Sequence, residues 1–304
     1  EICACLVGSE MCIRDRRCPD HPLTLELLQK AQLPLAAPSA NPSGEPSPKN
    51  AAKVVEYFDG KISAVIDGGE CGIGTESTII DMSKTPYKIL REAALPKETI
   101  RNALADDLTV LGITGGTGCG KTTALRQLEA LGAMIIDCDA VYHELLETDE
   151  KLLNAIETAF PGSVTDGKLD RKRLGGIVFG SERDLKLLNE ITHHYISLKV
   201  ERRLCDFAMN GGELAAIDAI ALIESGLAKR CKAVIGIVAE TETRVQRIMK
   251  RDGISREYAG KRIAAQKPNE FFENSCDYVL HNDTTERDFA DKCTNLYKEV
   301  LKNG

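Results

Sequence analysis

The stretch from Leu111 to Thr123 reads LGITGGTGCGKTT and holds Gly115-x-x-x-x-Gly120-Lys121-Thr122. Residues of these types at this spacing cradle phosphate. Small residues at Gly115, Gly116, Gly118 and Gly120 let the backbone curl until several N–H groups point at phosphate oxygens with no side chain in the way. Lys121 is spaced to reach the β- and γ-phosphates, and the Thr122 hydroxyl to hold Mg²⁺. Thr117, Cys119 and Thr123 complete the run of candidate nucleotide-binding positions. The chemistry implied is binding of a nucleoside triphosphate.

The elements that must position this loop flank it in the required order. Leu108 to Ile113 is a short apolar, β-branched run, and Ala124 to Leu131 has helical spacing. Strand, loop and helix therefore follow one another, and the helix N-terminus adds its dipole to the anion site. Past the loop, Ala133 to Asp139 reads as a buried-type strand ending in Asp137 and Asp139. Alternation along a strand puts both carboxylates on one side, at the strand end that borders the ligand crevice of a parallel sheet. There they could bind substrate or accept a proton. The competing reading is an acidic cap on a helix from Ala140 to Leu146. A third apolar strand, Leu214 to Ile217, ends in Asp218, placed as a carboxylate near Mg²⁺, with Glu224 soon after.

Basic residues cluster from Arg244 to Gly253, with Arg244, Arg247 and Arg251 on one helical face. Lys261 and Arg262 open a further helix through Gln266. These residues read equally as a phosphate-clamping lid or as a solvated charged face.

The 304 residues suggest about two domains, and 43% hydrophobic with 28% charged residues describe an ordinary soluble protein with ample core. A net charge of -7 argues against nucleic-acid binding through bulk charge. No apolar run approaches the ~18 residues that a membrane span needs. Of the 11 cysteines, Cys3, Cys5, Cys12 and Cys18 crowd the start of the chain, and no Cys-x-x-Cys pair or zinc-finger histidine spacing occurs. A metal site or disulfide framework is one reading; scattered reduced thiols in a cytoplasmic enzyme is the one adopted. Residues 1–16 do not look like the rest and are expected to be a foreign or misassembled leader.

From Arg17 the chain becomes coherent. Leu23, Leu27, Leu28 and Ala31 predict a helix ending before Leu33, and Leu35 to Pro48 is a loop of prolines and short polar residues. In that loop Ser39, Asn41 and Ser43 offer hydroxyls and an amide for hydrogen bonding. Ala51 to Phe58 reads as a helix, Ser63 to Asp67 as a strand entering a turn at Asp67-Gly68-Gly69, and Gly72 to Asp81 as a turn entering a strand. Ile89 to Arg91 forms the edge of the same small sheet, and Pro96 to Asp107 is a polar, helix-like linker.

Two resemblances follow. PLAAPSANPSG (34–44), the Asp67-Gly68-Gly69 turn, Gly74 to Asp81 and Ile89 to Arg91 resemble, in that order, the threonylcarbamoyl-AMP synthase (YrdC-like) family over residues 17–104. The resemblance implies that Ser39 and Asn41 bind ligand, with Ser77 and Arg91 as weaker candidates, in a fold that makes an adenylate for tRNA modification. That family's first half, with its Lys-x-Arg ligand, has no counterpart here, and Glu92-Ala93-Ala94 stands where Pro-Gly-Ala is usual. An incomplete segment without synthase activity is therefore expected.

Residues 108–304 resemble the dephospho-CoA kinase family. The resemblance rests on GITGGTGCGKTT (112–123), IIDCDAVYH (135–143), LDRKRLGGIVF (169–179), LNEITH (188–193), IDAIALIESGL (217–227), RVQRIMKRDGIS (244–255) and RIAAQK (262–267). It implies transfer of the ATP γ-phosphate to the ribose 3′-hydroxyl of dephospho-CoA, with Mg²⁺. Lys121 and the loop amides would bind phosphate, Thr122 and Asp218 the metal, and Asp139 the hydroxyl proton. Asp137 and Asp218 would lie beside the acceptor, and Arg251 and Arg262 would neutralise charge on the transferring group. His194 in place of a usual proline, and Ala219-Ile220-Ala221 in place of Val-Pro-Leu, are departures outside the phosphate loop.

The fold expected is α/β: a P-loop NTPase-type parallel sheet with a helical lid, preceded by an incomplete α/β YrdC-like segment. The partner expected is a small molecule, dephospho-CoA, with no membrane. Other readings stay open: another small-molecule P-loop kinase, a nucleotide- or double-stranded-RNA-binding module at 17–104 attached to a kinase, or an unfolded 17–104. A GTPase is disfavoured, since no Asn-Lys-x-Asp guanine motif occurs.

Overall fold

A computed structural model describes residues 16–302. Residues 1–15 of the expected leader, with Cys3, Cys5 and Cys12, lie outside the described residues. The chain divides into two compact units, one up to Ile100 and one from Arg101 onward.

In the first unit, local signals set the helices. α1 (Pro22–Ala31) opens on a proline, whose missing N–H is no loss in a first turn. α2 (Ala51–Phe58) is capped by Asn50, which accepts from the Lys53 amide at 3.0 Å. β1 (Ile79–Asp81) and β2 (Lys88–Arg91) pair antiparallel, with Ile80 opposite Ile89. Ser63 to Asp67, expected as a strand, is not one. It has no ladder partner, Ile66 is 66% exposed, and the Asp67 carboxylate accepts from the Gly69 amide at 2.9 Å to close a local turn. Among the described residues of this unit none is buried. Leu33 and Leu90 stand 67% and 63% exposed. The elements that local sequence dictates are present, and the apolar burial that stabilises a domain is not. α3 (Lys97–Asp106) contains the division between the units.

The second unit is built on strands that are apolar on both faces, as a covered parallel sheet requires. In chain order it holds β3 (Thr109–Thr114), α4 (Lys121–Ala130), β4 (Met134–Asp137), α5 (Cys138–Thr148), α6 (Glu150–Ala159), β5 (Val164–Thr165), β6 (Lys168–Leu169), α7 (Arg171–Val178), α8 (Glu182–Met209) and β7 (Leu214–Asp218). β8 (Ala233–Val238), α9 (Thr241–Asp252), α10 (Arg256–Ala264), α11 (Asn269–Ser275), β9 (Tyr278–His281) and α12 (Glu286–Lys302) follow. Five strands form one sheet in the order β4-β7-β3-β8-β9, every pair parallel.

Alternation along each strand feeds two cores. Val110, Ile136, Ile217 and Val234 face one core, which α5 to α8 complete with Val141, Leu152, Leu174, Val200 and Leu204. Leu111, Ile113, Ile235 and Ile237 face the other, filled by Ala124 and Leu128 of α4 and by Phe289, Cys293, Tyr297 and Val300 of α12. The α12 residues recur at helical spacing, so one stripe of that helix is buried. Its Tyr297 hydroxyl donates to the Ala124 carbonyl at 3.2 Å. α9 and α10 pack as a helical hairpin around Val245, Ile248 and Ala259.

Two expectations are corrected. The strand expected to run through Asp139 stops at Asp137, because the Asp137 carboxylate accepts from the amides of Asp139 and Ala140 at 2.8 and 3.1 Å and starts α5. Lys261 and Arg262 lie in the last turn of α10, and Gln266 falls beyond its end.

The contrast in burial predicts that limited trypsin digestion removes residues 16–100 within minutes and leaves a resistant fragment beginning near Arg101, detectable by mass spectrometry. Equal protection of both units would contradict it.

Candidate active site

The loop between β3 and α4 lies at the carboxyl ends of the central strands, where open α/β sheets bind ligands. Register brings three strands level there: Asp218 of β7 pairs with Ile113 of β3 on one side and with Asp137 of β4 on the other. α4 begins at Lys121, so the first amides of that helix have no partner within it and face the loop.

A cavity of about 350 Å³ opens over the loop. Gly116, Thr117, Gly118, Gly120, Lys121 and Thr122 line one side of it, while Asp139 and Ile220 line another. Arg247, Arg251 and Arg262 complete the wall. Lys121 Nζ donates to the Gly115 carbonyl at 3.2 Å and stands 3.8 Å from Asp218. The structure thus brings together most of the residues expected to bind phosphate. Gly115 and Thr123 are part of the loop and its helix without lining the cavity, and Cys119, fully buried, turns its side chain into the α4–α12 core.

The glycines answer to the scaffold behind the loop. A Cβ on Gly116 would stand 2.2 Å from Arg244 Nη2, and one on Gly120, whose φ is +101°, 2.0 Å from Asn282 Nδ2. Asn282 Nδ2 donates to the Cys119 carbonyl at 2.7 Å, and Arg247 reaches the carbonyls of Gly118, Cys119 and Asn282. Arg244 is 2% exposed and donates from Nε to the Thr117 carbonyl at 3.0 Å. Of the three arginines expected on one phosphate-facing side, Arg244 is therefore a buried support of the loop. Arg251 and Arg262 face the cavity and share Asp252, whose carboxylate accepts from Arg251 at 2.7 and 3.0 Å and from Arg262 at 2.6 Å. The Arg251 hydrogen bond, with help from Arg262, pulls the Asp252 carboxyl down to about 2.

The carboxylates have separate duties. Asp137, expected beside the acceptor, spends one carboxylate oxygen capping α5 and does not line the cavity. Asp139 is exposed in the first turn of α5. Asp218 is largely buried; its Oδ1 has no hydrogen-bond partner, and burial lifts its carboxyl to about 6 against the pull of Lys121.

A second cavity, of about 230 Å³, lies on the other side of Asp139 and shares it and Ile220 with the first. Tyr142, Asn189, Thr192, His193 and Ser225 place polar groups among its apolar walls. Burial lowers the His193 pKa, while Glu224 opposes the shift. Sequence reading assigned these residues no role, although Asn189, Thr192 and His193 recur at helical spacing on one side of α8. Among the described residues no group of three or more His, Cys, Asp or Glu is arranged to hold a metal. No helix among them is long and apolar enough to cross a membrane.

In the first unit, Arg17 joins the proline-rich loop to the strand region, donating to the Ala37 carbonyl at 2.9 Å and to Ser77 Oγ at 3.2 Å. Arg91 donates to the Ser77 carbonyl at 2.9 Å and pairs with Glu76. Asn41 bonds within its own loop, to the carbonyls of Pro42 and Glu45, and its Oδ1 is buried without a partner. Ser39 is half-buried in the same loop.

Residues 109–288 match the family model described as dephospho-CoA kinase. The chain belongs to the dephospho-CoA kinase family. The dephospho-CoA kinase of Lactobacillus johnsonii is 32% identical over 192 residues, which cover 62% of this chain and 97% of that protein. The dephospho-CoA kinase of Geobacter sulfurreducens is 37% identical over 180 residues, covering 59% of this chain and 91% of that one. The solved structure of TT1252 from Thermus thermophilus superposes with a TM-score of 0.53 at 30% identity, over 63% of this chain and 97% of its own. Residues 16–93 match a second model, that of the Sua5, YciO and YrdC proteins, described as telomere recombination.

Asp218 yields a test of the site's cost in this dephospho-CoA kinase family member. Its folded pKa of about 6 lies above the ~3.9 of a free aspartate, so the folded state holds a proton that the unfolded chain has lost between those values. Stability therefore falls as pH rises through that window, and the cost is complete above about pH 6. Asp218→Asn is expected to stabilise metal-free protein at pH 8 by on the order of 2–3 kcal/mol, seen as a higher melting temperature, and to have little effect near pH 4. Thermal melts across pH 4–8 check this.

Proposed function

We propose that the chain transfers the γ-phosphate of ATP to the ribose 3′-hydroxyl of dephospho-CoA, the last step of coenzyme A synthesis, in the cytoplasm. The observation that carries the proposal is the place of Asp139, on the rim shared by a phosphate-loop cavity and a second, smaller and more apolar cavity. A phosphotransferase needs its donor and acceptor to meet at one proton-accepting group, and here two cavities meet at one exposed carboxylate.

In this reading ATP lies with its phosphates against the loop amides and Lys121. Arg251 and Arg262, already held toward the cavity by Asp252, neutralise charge that develops on the transferring group. Asp139 accepts the proton of the attacking hydroxyl, and the second cavity takes the acceptor, its apolar walls against the acceptor's less polar parts and His193, Asn189 and Thr192 available for hydrogen bonds. Asp137 serves by starting α5 and so fixing the backbone of Asp139.

The buried, unpartnered Oδ1 of Asp218 beside Lys121 suits a divalent cation, since Mg²⁺ takes one or two protein oxygens and completes its shell with phosphates and water. Thr122 and Asp218 would hold it, and the ion would supply charge neutralisation on the phosphates. Residues 108–304 form the kinase domain in this proposal. Residues 17–104 form a partial threonylcarbamoyl-AMP synthase-like segment without activity of its own, in keeping with the absence of any buried residue there among those described.

Purified protein with ATP and Mg²⁺ is expected to release ADP only when dephospho-CoA is present, and Lys121→Ala to abolish that release. Asp139→Asn is expected to lower turnover by about 10²–10⁴-fold while leaving ATP affinity within about twofold. Unchanged turnover in Asp139→Asn would reject it as the base, and ADP release independent of the acceptor would reject the transfer itself.

A further inference from the structure

The α9–α10 hairpin carries Arg251 and Arg262 over the phosphate cavity, and besides Arg247 in the middle of α9 it is fastened to the loop beneath by two side chains at its ends. Gln266, just past α10, accepts the Thr117 N–H at 2.8 Å and an Arg244 N–H at 3.1 Å on its Oε1, while its Nε2 donates to Thr117 Oγ1 at 2.8 Å. Arg244, in the first part of α9, donates to the Thr117 carbonyl at 3.0 Å and to Asn269 Oδ1 at 3.5 Å. No carboxylate among the described residues pairs with this buried guanidinium; its partners are neutral acceptors. The N–H, the carbonyl and the hydroxyl of Thr117 are thus all held from the hairpin.

Planarity turns this into a statement about phosphate binding. Each trans peptide points its carbonyl and the next N–H in opposite directions. With the Thr117 carbonyl drawn toward Arg244, the Gly118 N–H is turned the other way, and Gly118 lines the phosphate cavity. Holding the Thr117 N–H to Gln266 sets the preceding peptide in the same manner. Gly116 leaves the room in which this is done: a Cβ there would stand 2.2 Å from Arg244 and 3.1 Å from Gln266 Oε1.

We propose that Gln266 is a positioning residue that couples the lid hairpin to the phosphate loop, so that the orientation of the loop amides and the position of Arg251 and Arg262 form one equilibrium. The proposal rests on the reading of the loop as the ATP site. Triphosphate selects the amide orientation that Gln266 maintains, and the same contact holds the hairpin where its two arginines reach the phosphates.

The test is calorimetric binding of ATP and of ADP to the full chain, without acceptor, for the parent protein, Gln266→Met, Arg251→Ala and the double variant. Gln266→Met keeps the side-chain length and removes its hydrogen bonds. It is expected to weaken ATP binding by about tenfold or more, with the melting temperature within about 3 °C of the parent and the KM for dephospho-CoA unchanged. Arg251→Ala is expected to weaken ATP binding severalfold in the parent and clearly less in the Gln266→Met background, the non-additivity that coupling requires. Unchanged ATP affinity in Gln266→Met would overturn the positioning role, and strict additivity would overturn the coupling. A large fall in melting temperature with parallel loss of acceptor affinity would overturn both in favour of a general packing role. Absence of transfer to dephospho-CoA in the parent would overturn the acceptor assignment and not this proposal, which is read from nucleotide binding alone; failure of the parent to bind ATP would overturn both.

Discussion

The structure of the second unit depends on how closely other groups approach the back of one loop. Asn282 and Arg244 come so near Gly120 and Gly116 that a methyl group at either would collide with them. These contacts occupy the loop's carbonyls at Thr117 and Cys119, and while the Thr117 N–H is held by Gln266, the Gly118 N–H is left for an anion. A loop meant to bind phosphate has to be rid of competing negative dipoles, and hydrogen bonding these carbonyls to Arg244 and Asn282 does this without any ligand present. The sheet order follows from the same need. β8 and β9 deliver α9 and Asn282 to one side of the loop, and β7 and β4 deliver Asp218 and Asp139 to the other.

The placement of Asp218 has a stability cost, and it is local. Asp218 is held largely out of water with one oxygen unpaired, Lys121 at 3.8 Å being too far for a hydrogen bond and Asp137 and Asp139 adding like charge. Burial outweighs the lysine, as the raised pKa records. A side chain so placed detracts from the folded state of the protein alone, a cost that the proposed cation would offset. Two cores on the two faces of the sheet offset it, with Tyr297, Phe289, Ile217 and Leu204 all fully buried.

Much of this was legible in the sequence because it is local. The phosphate loop, its flanking strand and helix and Asp218 at a strand end all depend on residue types within a few positions of one another. What was not legible depends on partners far along the chain. Asp137 and Asp139 were expected on one strand face, yet a carboxylate that can accept two amides ahead of it starts a helix instead, and only the sheet's edge decides between the two. Ser63 to Asp67 has the composition of a strand and lacks a neighbour to bond. Gln266 carries no periodic or charge signal at all, and its role is visible only once Thr117 is brought against it. The polar residues of the second cavity were hidden for the opposite reason: their spacing on α8 is ordinary helix surface until α5 and the β7 end close over it.

The charged face of α9 shows how one periodic stripe is divided by depth. Arg244, Arg247 and Arg251 recur at helical spacing, and in sequence they were equivalent. Arg244 is buried among neutral acceptors and cannot turn toward a ligand without abandoning the Thr117 carbonyl. Arg247 is part-buried and divided between loop carbonyls and Asn282, so it both supports the loop and borders the cavity. Arg251, near the exposed end of α9, is the one of the three that pairs with a carboxylate among the described residues, that of Asp252, which it shares with Arg262. One carboxylate between two guanidiniums relieves their mutual repulsion and leaves a net positive charge over the cavity. The stripe is thus neither a solvated face nor a uniform phosphate clamp. It grades from structural to ligand-facing along the helix, and the gradient follows from where α9 leaves the core.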